Sequence, residues 1–139
     1  MAANKVVIFP PITLTTATNR NLFGPPTVVA SIALSVPPTS TGGYIIIRHI
    51  RVVNTTAGAL SFILFNGASG VQTAGKEIIA GGVATANAYT SGGISVAANS
   101  FFEWFGMIRL DSAATDQYIV GGASAVGLTI QAEGEMGVA

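Results

Sequence analysis

The 139-residue sequence predicts an all-β fold: a single antiparallel β-sandwich or jelly roll of about eight strands, preceded by an extended N-terminal arm. Three observations predict it. Short apolar runs recur at steady spacing between turns supplied by the 17 glycines, which is the pattern of a sandwich or barrel. No segment keeps a helical period over about ten residues. All six prolines fall before residue 43, as the pairs in "FPPIT", "FGPPT" and "VPPTS".

Proline fixes φ and donates no backbone hydrogen bond, so each pair interrupts a β-ladder. Residues 1–27 therefore read as the Pro-rich arm, with at most a short strand at "KVVIF", and residues 28–139 as the sandwich domain. The arm is too apolar for a frayed tail, because disordered tails are polar and charged. In the domain, "VVASIALSV" is the first strand, with Val28, Ala30, Ile32, Leu34 and Val36 on one face. "YIIIRHIRVVN" follows. Strict alternation sends Tyr44, Ile46, Arg48, Ile50 and Val52 one way and Ile45, Ile47, His49, Arg51 and Val53 the other. Neither face is polar, so the strand reads as covered on both sides.

"TTAG" is a turn and "ALSFILFN" a strand, ending at Asn66-Gly67, a dipeptide suited to positive φ. "GASGVQTAG" is a loop. "KEIIAGG" and "VATANAYT" are a short apolar run and a weak strand, and "SGG" is a turn. "ISVAANSFFEWFGMIRL" is one long strand, or two that break at "AANS". In it Phe102, Trp104, Ile108 and Leu110 face one way, and Phe101, Glu103, Phe105, Met107 and Arg109 the other. After the polar loop "DSAATD", the runs "QYIVGG" and "AVGLTIQAEG" close the domain. Val126, Leu128, Ile130 and Ala132 share a core face, opposite Thr129, Gln131 and Glu133.

Charged residues make up 9% of the chain, against roughly 25% in an ordinary soluble domain, and mean hydropathy is +0.60. A membrane helix does not explain this, since runs such as "VVIF" and "YIII" are far short of the roughly 18 residues needed. Neither does a signal peptide, because Pro10 and Pro11 break the first apolar run. Burial in a homo-oligomer or larger assembly remains, because a partner can cover apolar surface. The net charge of zero leaves no basic footprint for nucleic acid. Without cysteine there is no disulfide, thiolate ligand or thiol nucleophile.

The inventory for catalysis is thin. His49 is the single imidazole, it sits in "IRHIR", and no G-x-S-x-G elbow exists to supply a serine. Glu133 and Glu135 in "AEGE" could pair as carboxylates, but read more simply as a solvated end. Asp111 and Asp116 flank "SAAT" without the spacing of a cation loop. "GASG" and "GGASAVG" open no helix, so no phosphate cradle is implied. "FFEWF" could be a carbohydrate platform, although strand spacing favours core. The chain reads as a non-enzyme with no cofactor and no metal.

From "RHIRVVNTTAGALSFILFNGASG" through "NSFFEWFGMIRLDSAATDQYIVGGAS" to "LTIQAEGEMGV", the layout resembles the head decoration (cement) proteins of tailed bacteriophages. The likeness rests on a strand ending "VVN", an aromatic strand with W-x-G before a "GG" turn, and "LTI" ending in "EGE", and it covers about two-thirds of the chain. The resemblance implies a jelly-roll-like homotrimer, made in the bacterial cytoplasm, that binds the major capsid protein on the outer surface of the virion and stabilises capsomer junctions. It carries over no catalytic residue. The alternative is a receptor- or glycan-binding head of a fibre or spike. On either reading the interface candidates are Arg48, His49, Arg51 and Glu103, with Phe9, Pro10, Pro11 and Phe23 in the arm. Charges on a covered strand need partners; the candidates are Glu77, Glu103, Asp111, Asp116, Glu133 and Glu135, with Glu103 first for one of the arginines.

Overall fold

The computed structural model describes residues 5–24, 43–68, 70–73, 75–79, 81–111 and 118–138. The fold is all-β, antiparallel and free of helix among these residues. The strands are β1 (Lys5–Thr13), β2 (Asn21–Phe23), β3 (Gly43–Asn54), β4 (Leu60–Gly67), β5 (Glu77–Ile78), β6 (Gly82–Thr85), β7 (Ala88–Gly92), β8 (Ile94–Val96), β9 (Ser100–Asp111), β10 (Tyr118–Ala123) and β11 (Leu128–Val138). Among the described residues there are eleven strands, with short edge strands and a hairpin dividing the middle of the chain. One sheet has the order β1-β11-β3-β9; the other has the order β2-β10-β4-β5, with β8 also on β4. The main core lies between them and joins Val7 and Phe9 to Ile45, Ile47, Phe62, Leu64 and Ile119.

The N-terminal segment is not an arm. Over residues 5–24 it belongs to both sheets: β1 pairs with β11 and β2 pairs with β10. Phe9, Leu14, Leu22 and Phe23 are core residues, and the Phe9 and Phe23 rings meet at 5.0 Å. The proline pair does interrupt the ladder, but only locally. The register slips between Phe9 and Ile12, where Pro10 and Pro11 stand opposite Gln131 alone. This is an edge-strand bulge, the place in a sheet where a residue without an N–H does least harm. Residues 1–4 and 25–42, including the Val28–Val36 run, lie outside the described residues.

The central strand does not alternate strictly either. Ile45 and Ile47 point into the core, and so do Ile50 and Val52. The phase changes at Arg48, an extra residue between the pairs Gly134–Ile47 and Glu133–His49. Pairing with β9 slips at the same place. Gly134 permits the bulge: a Cβ there would collide with the Ile46 carbonyl oxygen. Arg48, His49 and Arg51 therefore share the outer face, where strict alternation had separated Arg48 from Arg51.

β9 follows its expected alternation, and the break before it falls in "AANS", where Asn99 has φ of 51°. Asn66-Gly67 is not a turn; β4 runs through it, and Gly67 pairs with Tyr118. "VATANAYT" is the body of the β6–β7 hairpin, which reverses at Ala86-Asn87 with φ of 51° and 63°. Val126 lies exposed in the turn before β11 rather than on its core face. Asn54 is buried and fully engaged at the end of β3. Its Nδ2 donates to the carbonyls of Gly58 (2.8 Å) and Val96 (3.0 Å), and its Oδ1 accepts from Thr56 N (2.9 Å) and Oγ1 (2.7 Å).

Candidate functional site

The two sheets treat their outer faces differently. On the β2-β10-β4 sheet, Ile63, Phe65, Tyr118 and Val120 form a second core under Ala84 and Tyr89 of the β6–β7 hairpin. On the β1-β11-β3-β9 sheet, Val6, Ile8, Phe101, Phe105 and Met107 stand between 55% and 76% exposed. Single exposed apolar residues are ordinary; a set of five on one sheet face marks a contact surface.

A charged row crosses this face. His49 Nδ1 lies 3.0 Å from Glu133 Oε1, and its Nε2 lies 3.5 Å from Glu103 Oε1. Arg51 Nε is 3.8 Å from the same Glu103 oxygen, its cross-strand neighbour. Arg48 Nη2 reaches Glu135 Oε2 at 3.6 Å. Only the His49–Glu133 contact among these is short enough for a hydrogen bond, so His49 Nε2 and Arg51 Nε remain without one. The aromatic residues flank the charges: the His49 ring stacks on Phe105 at 4.5 Å and 13°, and the Arg51 guanidinium sits 4.8 Å above Phe101. Arg109 covers Tyr44 in the same way at 4.2 Å and bonds Asp111 at 2.9 Å.

Two open grooves flank this row. One, of about 240 Å3, lies between Ile8, Pro11 and the Arg51–Gln131 row; the other, of about 330 Å3, lies between Val6, Arg48 and Phe105. His49 and Glu133 border both.

Of the residues the sequence singled out, Arg48, His49, Arg51 and Glu103 come together here, and Pro10 and Pro11 lie exposed at the rim. Phe9 and Phe23 do not; both are core. The sequence reading offered Glu133 and Glu135 only among the candidate acid partners of the arginines, behind Glu103, and not among the interface residues. Their signal was the alternation of Thr129, Gln131 and Glu133, which continues through Gly134 to Glu135 instead of ending in a solvated tail. It missed Val6 and Ile8, hidden in the supposed arm. Among the described residues no group of three His, Asp or Glu converges as metal ligands, and Asp116 lies outside them. Comparison with protein families, curated proteins and solved structures finds no match to this chain.

Proposed function

We propose that the chain is a structural subunit of a phage particle, a head decoration protein that works by contact with other protein and carries out no reaction. The observation that carries this reading is the open outer face of the β1-β11-β3-β9 sheet, where five large apolar side chains surround a charge-balanced row. Burying apolar area contributes roughly 25 cal/mol per Å2 before ordering costs, and many copies on one particle multiply weak contacts. The strand order supports the jelly-roll reading: β1, β3, β9 and β11 form one sheet, and β2, β4 and β10 lie in the other, so the chain crosses repeatedly between layers. The resemblance noted above supplies the phage head as the setting, with a homo-oligomer and the major capsid protein as partners. Because residues 5–24 are built into the sandwich, any grip on a capsid comes from the sandwich itself rather than from a lashing arm over these residues.

One observation favours the second reading, a receptor- or glycan-binding head. Phe101 and Phe105 are exposed aromatic faces beside Arg51 and His49, a combination that suits stacking against sugar rings. Imaging heads of the encoding phage with and without added protein separates the two. The decoration reading expects regular extra density on the outer shell. Bare shells, with the protein bound instead to host-cell surface sugars, would overturn it in favour of the fibre reading.

A further inference from the structure

We propose that the open face of the β1-β11-β3-β9 sheet is a two-fold interface, occupied by the same face of a second copy of this chain. The inference rests on reading that face as a protein contact, and adds the partner and the symmetry.

The argument is the order of chemical character across the sheet. The edge strands carry the large apolar side chains, Val6 and Ile8 on β1 and Phe101, Phe105 and Met107 on β9, although β9 also bears Glu103 and Arg109, each held by a partner within the chain. Of the central strands, β11 presents the acids Glu133 and Glu135, and β3 presents Arg48, His49 and Arg51. A two-fold axis parallel to the strands, running between β11 and β3, exchanges β1 with β9 and β11 with β3. Ile8 on one edge then covers Phe105 on the other, and each acidic strand covers a basic one, while Glu103 and Arg109 keep their partners within the chain. A two-fold axis lying across the strands would set acid on acid and cation on cation, which costs several kcal/mol. The charge order therefore selects one axis.

Register strengthens the case, because rotation about an axis parallel to the strands preserves position along them. Ile8, Glu133, His49 and Phe105 form one row across the sheet. In the dimer Ile8 meets the second copy's Phe105, and Glu133 meets its His49. Glu135, one row along, meets the second copy's Ile46 beside the Arg48 bulge. The Arg48–Glu135 and Arg51–Glu103 pairs within one chain are long, at 3.6 and 3.8 Å, and their guanidinium groups are exposed enough to reach another molecule. The second copy supplies partners as it removes water, the condition for tolerating charge in a covered face. Sheets stack about 10 Å apart with a tilt near 30°. Strands spaced about 4.8 Å, over about eight residues of about 3.3 Å each, give roughly 500 Å2 per copy, so a total near the roughly 1,000 Å2 that a specific contact needs. An isologous contact closes at two copies, so this face yields a dimer and not the trimer that the resemblance implies.

The test is mass by light scattering on three proteins: the natural chain, a basic-faced variant (Glu133→Lys with Glu135→Lys), and an acidic-faced variant (Arg48→Glu with Arg51→Glu). The natural chain should give twice 14.1 kDa at micromolar concentration. Each variant alone should associate at least about a hundredfold more weakly, through like-charge contact. Mixed in equal amounts, the two variants should regain the dimer mass, a rescue that no contact within one chain produces. Should either variant fail to melt cooperatively, Ile8→Glu on the exposed edge replaces it and must also dissociate the dimer. A natural chain that is monomeric or trimeric, charge variants that remain dimeric, or a mixture that stays monomeric would overturn the two-fold face. Sedimentation of the natural chain with phage heads is read separately. A monomer that binds heads removes the dimer and leaves decoration standing; a dimer that ignores them does the reverse.

Discussion

The outer faces of the two sheets start from similar material and end differently. Both present large apolar side chains on strands whose inner face is already in the core. On the β2-β10-β4 sheet the chain covers Ile63, Phe65, Tyr118 and Val120 itself, with a hairpin that costs it fewer than twenty residues. On the β1-β11-β3-β9 sheet nothing within the described chain lies over Val6, Ile8, Phe105 or Met107, and the face carries charges threaded between its aromatics. A face covered within the chain needs no charge, because its cover is permanent. A face completed by another molecule must remain soluble while it waits and must choose its partner, and paired charges serve both needs. The difference shows how one sandwich separates stability from association.

Substitutions separate the roles of the two faces, and the N-terminal strands matter most. Removing residues 1–24 takes β1, β2, Phe9, Leu14 and Phe23 from the two sheets and the core. No cooperative melt should remain, and a truncated chain that still folds would mean these residues are an arm after all. Next comes a matched pair of charge insertions. Phe65→Glu places an unpaired charge under the hairpin and should cost more than about 4 kcal/mol. Phe105→Glu on the open face should change the unfolding free energy of the single chain by under about 1 kcal/mol, while weakening self-association. Equal costs in denaturant titration would erase the distinction between the faces.

Gly134→Ala should cost about 1–3 kcal/mol, because its methyl meets the Ile46 carbonyl at the Arg48 bulge. Asn54→Ala, which takes away the buried bond to the Val96 carbonyl and the acceptor of the Thr56 amide, should fall in a similar range of about 1–3 kcal/mol. The smallest effect is expected for a double-mutant cycle on Arg51 and Glu103. Both side chains are more than a third or close to a third exposed and meet only at 3.8 Å, so coupling in the single chain should be under about 1 kcal/mol. A larger coupling that appears only at concentrations where copies associate would place this pair inside the interface.

Much of the layout was legible in the sequence. The all-β class, the break at "AANS" and the alternation of β9 followed from composition and period, the signals that local structure writes directly. Other features left weaker marks. The bulge at Arg48 adds one residue without changing composition, and its only trace was Gly134 on the neighbouring strand. The β6–β7 hairpin reverses on Ala86-Asn87, and an alanine at positive φ gives no turn signal. Pro10 and Pro11 were read as ending a ladder, whereas at an edge strand they only bulge it. Most important for function, periodicity showed that strands were apolar on both sides but could not say which side the chain would cover for itself. That depends on where a distant hairpin folds, which no local pattern records.

The central claim, that the open face is covered in the working protein, is tested most directly by peroxide oxidation of Met107 followed by mass spectrometry across a dilution series. Met107 is exposed in the single chain, and Met136, buried in the core, serves as the internal reference. The account predicts rapid oxidation of Met107 in dilute solution and several-fold protection as concentration rises into the micromolar range, with Met136 slow throughout. Met107 oxidation that is equally fast at every concentration, and equally fast on phage heads, would contradict it.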